Sequence, residues 1–143
     1  MAGRHEQLAN SSVCSGTVLI VDDDQAFRRL VCRVLEHDGY RVLEASNGAE
    51  LLDTLADPYG RVEVPFPDLV ITDICMPGLS GLEALAALEH ADCLPRFIVV
   101  TAHGNEERKQ QARALGAAAV FEKPVSIEVL RREVARQISS LYA

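Results

Sequence analysis

Apolar residues recur along this chain in two alternating rhythms. Five short runs stand out: VLIV at 18–21, RVLEA at 41–45, DLVIT at 68–72, FIVV at 97–100 and AAVF at 118–121. The first, third and fourth are unbroken and rich in β-branched residues, as expected of parallel strands covered on both faces. Between the runs, apolar positions return at helical spacing. After Asp24 they are Phe27, Leu30, Val31, Val34 and Leu35, an i, i+3, i+4, i+7, i+8 stripe. Asp24 is placed to cap that helix and Gly39 to end it. Asn47 precedes Leu51, Leu52 and Leu55; Ser80 precedes Leu82, Leu85 and Leu88, with Ala84, Ala86 and Ala87 between them. A last helix after Pro124 turns Ile127, Leu130, Val134, Ile138 and Leu141 inward. The fourth helical segment, GNEERKQQARALG, has apolar residues only at Ala112, Ala114 and Leu115. So narrow a stripe predicts the least stable helix of the set.

Strand and helix alternating five times predict an α/β protein, a parallel sheet with helices on both faces joined by right-handed crossovers. In such sheets ligands sit beyond the carboxyl ends of the strands. Those ends carry the chemistry here. Asp22 and Asp23 follow the first run, Asp73 ends the third, Thr101 the fourth, and Lys123 comes shortly after the fifth.

Composition narrows the picture. The 143 residues suit one domain, and with 48% hydrophobic residues they can fill a core without any run long enough to cross a bilayer. Residues 1–15, MAGRHEQLANSSVCS, are polar and read as a flexible tail, not a secretory signal, which leaves 16–143 as the folded domain. DPYGRVEVPFP at 57–67 is a long connection, and Val62 and Val64 alternate as a short extra strand would. A net charge of −7 without a basic patch argues against sequence-independent nucleic-acid binding. Cys14, Cys32, Cys75 and Cys93 form no C-x-x-C pair, which fits reduced thiols in a cytoplasmic protein.

Carboxylates gathered at one sheet edge repel one another. Two unit charges about 4 Å apart, at an effective dielectric near 20, cost on the order of 4 kcal/mol. Mg²⁺ relieves such a cluster well, because it takes hard oxygen ligands and keeps several waters. With Lys123 and the Thr101 hydroxyl opposite, the set suits phosphoryl transfer: one carboxylate nucleophile, and cations for the transferred oxygens.

The segments VLIVDDD, DLVITDICMPGLSGLE, FIVVTAHG and GAAAVFEKP, in that order, resemble the successive motifs of the response-regulator receiver domain of two-component signalling. The resemblance spans about residues 17–141. It implies a flavodoxin-like (βα)5 fold with a five-stranded parallel sheet of order 2-1-3-4-5. Asp73, in D-x-x-M-P-x-x-S-G, would be the phosphoacceptor. Asp22, Asp23, Asp73 and the backbone carbonyl of Cys75 would hold Mg²⁺ or Mn²⁺. Thr101 and Lys123 would contact the acyl phosphate, and Pro124 would follow a cis peptide. The implied donor is a sensor histidine kinase or a histidine phosphotransfer protein. The implied target is an output protein or an output domain outside this chain, and a phosphorylation-dependent homodimer belongs to the same expectation. The chain would be a cytoplasmic switch assisting its own phosphorylation and dephosphorylation, with no membrane or direct nucleic-acid contact.

Two sets of positions depart from the family pattern. The residue three before the lysine is usually aromatic, a ring that swings as the threonine moves. Here it is Val120, and Phe121 should face the other side of the sheet, so either the switch is muted or a strand bulge brings Phe121 round. Cys75 and His103 occupy the two positions that tune dephosphorylation in the family; a thiol among carboxylates should be a poor nucleophile. Two other functions compete. LIVDDDQ also fits the first motif of haloacid-dehalogenase-like phosphatases, with Asp22 as nucleophile and Asp24 as acid/base, but only Glu128 and Glu133 follow Lys123 to serve their last metal-binding motif. A receiver-like interaction module that is never phosphorylated would lack the acidic pair, the acceptor or the lysine, and all are present.

Overall fold

Each apolar run forms a strand and each amphipathic segment a helix, in strict alternation. In chain order these are β1 (Thr17–Val21), α1 (Gln25–His37), β2 (Arg41–Ala45), α2 (Gly48–Leu55), β3 (Leu69–Thr72), α3 (Gly81–Ala87), β4 (Arg96–Thr101), α4 (Glu106–Ala114), β5 (Ala119–Glu122) and α5 (Ile127–Leu141). The computed structural model describes residues 16–56, 66–74, 76, 78, 80–88, 94–102 and 106–142. The expected tail at 1–15 and most of the 57–67 connection therefore lie outside the described residues, as do Cys75 and His103.

All five strands pair in parallel in the order β2-β1-β3-β4-β5, as the family resemblance implied. Side chains alternate across this sheet and build two cores. On one face Leu19, Val21, Val70, Phe97 and Val99 meet Leu51 and Leu55 of α2, Leu82 and Leu85 of α3, and Ala112 of α4. On the other, Val18, Ile20, Leu69, Ile71, Ile98 and Val100 meet Val31, Cys32 and Leu35 of α1, and Leu130, Val134 and Ile138 of α5. Each fully buried aliphatic side chain contributes about 1.5–3 kcal/mol. The double cover is why the central strands read as unbroken apolar runs.

The helix ends follow their capping residues. The side chains of Asp24, Asn47, Ser80 and Ser126 accept from the backbone N–H groups of Phe27, Glu50, Glu83 and Val129. At α3 the cap is reciprocal, since Glu83 accepts in turn from the Ser80 N–H at 3.1 Å. Gly39, at φ 102°, ends α1 in a conformation that other residues rarely adopt.

Three details differ from the sequence pattern. Leu30 is 48% exposed and Leu141 40% exposed, whereas Cys32 and Gln137 are buried. The arc of α1 that meets the sheet is centred on Val31, Cys32 and Leu35, and at 3.6 residues per turn Leu30 falls almost opposite it. The fifth strand also runs one residue later than its apolar run, through Glu122, which is in register with Thr101. A charge is tolerated there because the nearly buried Lys109 of α4 donates to Glu122 at 2.6 Å and to Glu106 at 3.0 Å. Hydrogen bonds to Glu122 and then Glu106 push the Lys109 ammonium pKa up. Lys109 and Ala112 are the buried residues of α4, so its apolar contact is as narrow as its sequence predicts.

Candidate functional site

The ladder hydrogen bonds run one step past the strand ends and pin the backbone there. The Asp22 N–H donates to the Ala45 carbonyl at 3.1 Å, that of Asp73 to Val21 at 2.9 Å, and that of Lys123 to Thr101 at 2.8 Å. Three side chains from β1, β3 and β5 are thereby aimed over one edge of the sheet. Lys123 Nζ lies 2.8 Å from Asp22 Oδ2 and 3.1 Å from Asp73 Oδ2, a single ammonium shared by two buried carboxylates. It also stands 4.7 Å from the centroid of the Phe27 ring, a favourable cation–π approach.

Burial and pairing act against each other on these groups. Asp22 is 2% exposed, and burial pushes its carboxyl pKa up against the hydrogen bonds from Lys123 and from the Asp24 N–H. For Lys123, burial works against the ammonium, yet its hydrogen bonds to Asp22 and Asp73 prevail and its pKa is raised. The second acidic residue differs in kind, because Asp23 is exposed. Oxygen atoms of Asp22, Asp23 and Asp73 all lie within 4.8 Å of one another. Three hard oxygen donors, with neither sulfur nor imidazole among them, fit a small divalent cation such as Mg²⁺.

Asp24, the third aspartate of the run, serves the helix. Its Oδ1 accepts from the Phe27 N–H at 3.2 Å, while its own N–H donates to Asp22 Oδ1 at 2.9 Å. Thr101 ends β4 fully buried. Val120 pairs with Val99 in register and packs on the face of α2, α3 and α4, the face that Thr101 shares by strand alternation. Phe121 packs on the opposite face with α1 and α5, so no bulge brings its ring beside Thr101. The Lys123–Pro124 peptide is cis.

Sequence reasoning missed three contributors. Nothing in the local spacing marks Arg28 of α1, yet its Nη1 donates to the Asp22 carbonyl at 2.7 Å. Phe27 fits the core stripe of α1 in the sequence, yet its ring borders Lys123. Gly81 lies so close under Asp73 that a Cβ there would be 2.6 Å from the Asp73 carbonyl oxygen. Only the S-G pair after D-x-x-M-P hinted at this last approach.

Comparison with known proteins gives a consistent picture. The family model described as response regulator receiver domain matches residues 18–135. The sporulation initiation phosphotransferase F of Bacillus subtilis is 34% identical over 121 residues, covering 85% of this chain and 92% of that protein. The positive alginate biosynthesis regulatory protein of Pseudomonas aeruginosa is 43% identical over 116 residues, which are 79% of this chain but 43% of the regulator. The DNA-binding transcriptional regulator NtrC of Escherichia coli is 33% identical over 124 residues, 87% of this chain and 25% of its own length. The chain thus spans less than half of either regulator. Among solved structures, a CheY-like response regulator receiver domain protein from Methanospirillum hungatei superposes with a TM-score of 0.77 at 27% identity, over 87% of this chain and 94% of that one.

Proposed function

Because this chain belongs to the response regulator receiver domain family, we propose that it is a two-component phosphorylation switch with Asp73 as its phosphoacceptor. The observation that carries this reading is the convergence of Asp22, Asp23 and Asp73 on one sheet edge, with Lys123 bridging two of them. In the proposed step an oxygen of Asp73 attacks the phosphorus of a phosphohistidine. The new O–P bond forms as the N–P bond breaks, and the departing imidazole nitrogen keeps the electron pair and takes up a proton. Lys123, already between Asp22 and Asp73, moves its positive charge toward the transferred oxygens, and the Thr101 hydroxyl donates to one of them. Asp22, Asp23, Asp73 and the Cys75 carbonyl would hold Mg²⁺ or Mn²⁺. When bound, such an ion neutralises charge on the phosphoryl oxygens. Water attack on the acyl phosphate returns Asp73 to its free form.

The partners follow from this reading. A histidine kinase or histidine phosphotransfer protein supplies the phosphoryl group, and an output protein or output domain reads the face formed by α4, β5 and α5. Phosphorylation shifts the population of conformers at that face, with or without dimerisation of the chain. A cytoplasmic location fits this chemistry, and no helix among the described residues is long and apolar enough to cross a membrane. With Val120 at the position three before Lys123, the switch works without a swinging ring. Cys75 and His103 are proposed to set the phosphoryl lifetime.

Acetyl phosphate with Mg²⁺ tests the assignment. Intact-mass analysis should show one added phosphoryl group, labile to hydroxylamine, in the wild type and none in Asp73→Asn. Labelling that survives in Asp73→Asn but is lost in Asp22→Asn would transfer the nucleophile to Asp22 and favour a phosphatase. A wild type that stays unmodified would point to an interaction module instead.

A further inference from the structure

The turn from β1 into α1 is held by more than the strand ladder. Arg28, in the first turn of α1, donates through Nη1 to the Asp22 carbonyl at 2.7 Å and through Nε to Glu44 Oε1 at 2.9 Å. Its side chain is only 14% exposed. Glu44 lies on the edge strand β2, in register with Ile20. The guanidinium therefore ties α1, β2 and the acidic turn together at one point, with its fork geometry using two separate donors.

The Asp22 carbonyl belongs to the peptide unit that joins Asp22 to Asp23. That unit is planar, so fixing its oxygen also fixes the direction in which the chain enters Asp23. Asp22 hardly needs the help. Its N–H is bound to Ala45, and its two carboxylate oxygens are held by the Asp24 N–H and by Lys123. Asp23 is exposed, and among the described residues none holds its side chain in a comparable way. From this geometry we infer that Arg28 is a positioning residue for Asp23 in the cation site, aimed by Glu44. The inference rests on the reading that the three carboxylates hold a divalent cation.

Charge and position make opposite predictions here. Arg28 is a cation beside an acidic site, so on Coulomb grounds alone its removal tightens Mg²⁺ binding. If its work is to hold the peptide, its removal weakens binding, and partners that orient metal ligands typically change affinity by about 10–100-fold. The sign of the change decides between them.

The experiment is calorimetric titration of Mg²⁺ into the full chain, as wild type, Arg28→Met, Arg28→Lys and Glu44→Gln, each first shown to melt cooperatively. Arg28→Met should weaken Mg²⁺ binding about tenfold or more. Glu44→Gln should weaken it less, and Arg28→Lys should fall between wild type and Arg28→Met, because a lysine reaches the carbonyl but cannot hold Glu44 at the same time. A folded Arg28→Met that binds Mg²⁺ as tightly as the wild type, or more tightly, overturns the inference. If Arg28→Met does not fold, Arg28→Lys decides, since it keeps the positive charge and loses the Nε bond to Glu44; unchanged affinity there overturns it equally. A wild type that binds no Mg²⁺ overturns the cation reading and this inference with it. Wild-type binding with unaffected variants overturns the inference alone.

Discussion

Gly81→Ala sets two effects of known sign against each other at the base of Asp73. Gly81 is the first residue of α3, and replacing glycine by alanine in a helix interior gains up to about 1 kcal/mol in propensity. Here the added methyl has no room. It would lie 2.6 Å from the Asp73 carbonyl oxygen and closer still to Thr72 Oγ1, both buried. Those two atoms are bonded to each other, with the Thr72 hydroxyl donating to the Asp73 carbonyl at 2.9 Å. A backbone oxygen at the end of a central strand cannot swing aside as a flexible side chain can. Overpacking of this kind costs about 1–3 kcal/mol, and losing the hydroxyl–carbonyl bond about 1 kcal/mol more. Set against the propensity gain, the net is a destabilisation of about 1–3 kcal/mol. For a chain of this size that is a fall in Tm of roughly 3–12 °C. Thermal or urea denaturation followed by circular dichroism measures it, and acetyl phosphate labelling of Asp73 should slow in parallel because its carbonyl has moved. Adding Thr72→Ala should restore part of the stability, since the nearest obstructing atom goes while the carbonyl stays. A Gly81→Ala variant as stable as the wild type, or more stable, would refute the reasoning, because propensity would then have won.

Asp24→Ala should cost about 1 kcal/mol, the usual worth of an N-cap, and leave Mg²⁺-dependent labelling intact; if labelling disappears while the fold persists, the phosphatase reading with Asp24 as acid/base returns. Acid sensitivity should trace in part to two helix starts. The N–H of Ser46 and then its hydroxyl hold the Glu50 carboxyl below the ordinary 4.5, and the N–H and then the hydroxyl of Ser80 do the same for Glu83. Lowered carboxyls contribute stability that is fully present above 4.5 and is lost as pH falls through their lower folded values. The double variant Glu50→Gln, Glu83→Gln should therefore melt below the wild type at neutral pH and converge with it in strong acid. A Tm gap that stays constant across that range would show that the two hydrogen bonds carry no charge-dependent stability.

The fold was legible because the sheet is covered on both faces, so its central strands announce themselves as unbroken apolar runs. The main site was legible for a related reason: parallel strands all end on the same edge, and Asp22, Asp73, Thr101 and Lys123 each stand at such an end. What escaped depends on contacts between elements that no local spacing encodes. Leu30 fits the helical stripe, yet points away because α1 meets the sheet through Val31, Cys32 and Leu35. Arg28 looks like a solvated arginine until β2 is in register and brings Glu44 beside it. Lys109, in a helix with almost no apolar face, is buried because Glu122 extends β5 to meet it. Gly81 reads as a turn glycine, and only the packing of α3 under β3 shows that it is there to keep an atom out.

Lys123 is 101 residues from Asp22 and 50 from Asp73 along the chain, and it comes from the last strand. Contacts of such long sequence separation form late, since loop-closure entropy is lost before they return any energy. On the ribosome the acidic turn emerges first and its counter-charge last. A chain interrupted before β5 thus has the three clustered carboxylates but no ammonium between them. Completion of the carboxylate site is in this way tied to completion of folding: the ion bridge that joins Asp22 to Asp73 through Lys123 forms only once the fifth strand has joined the sheet, and so certifies that the sheet is whole.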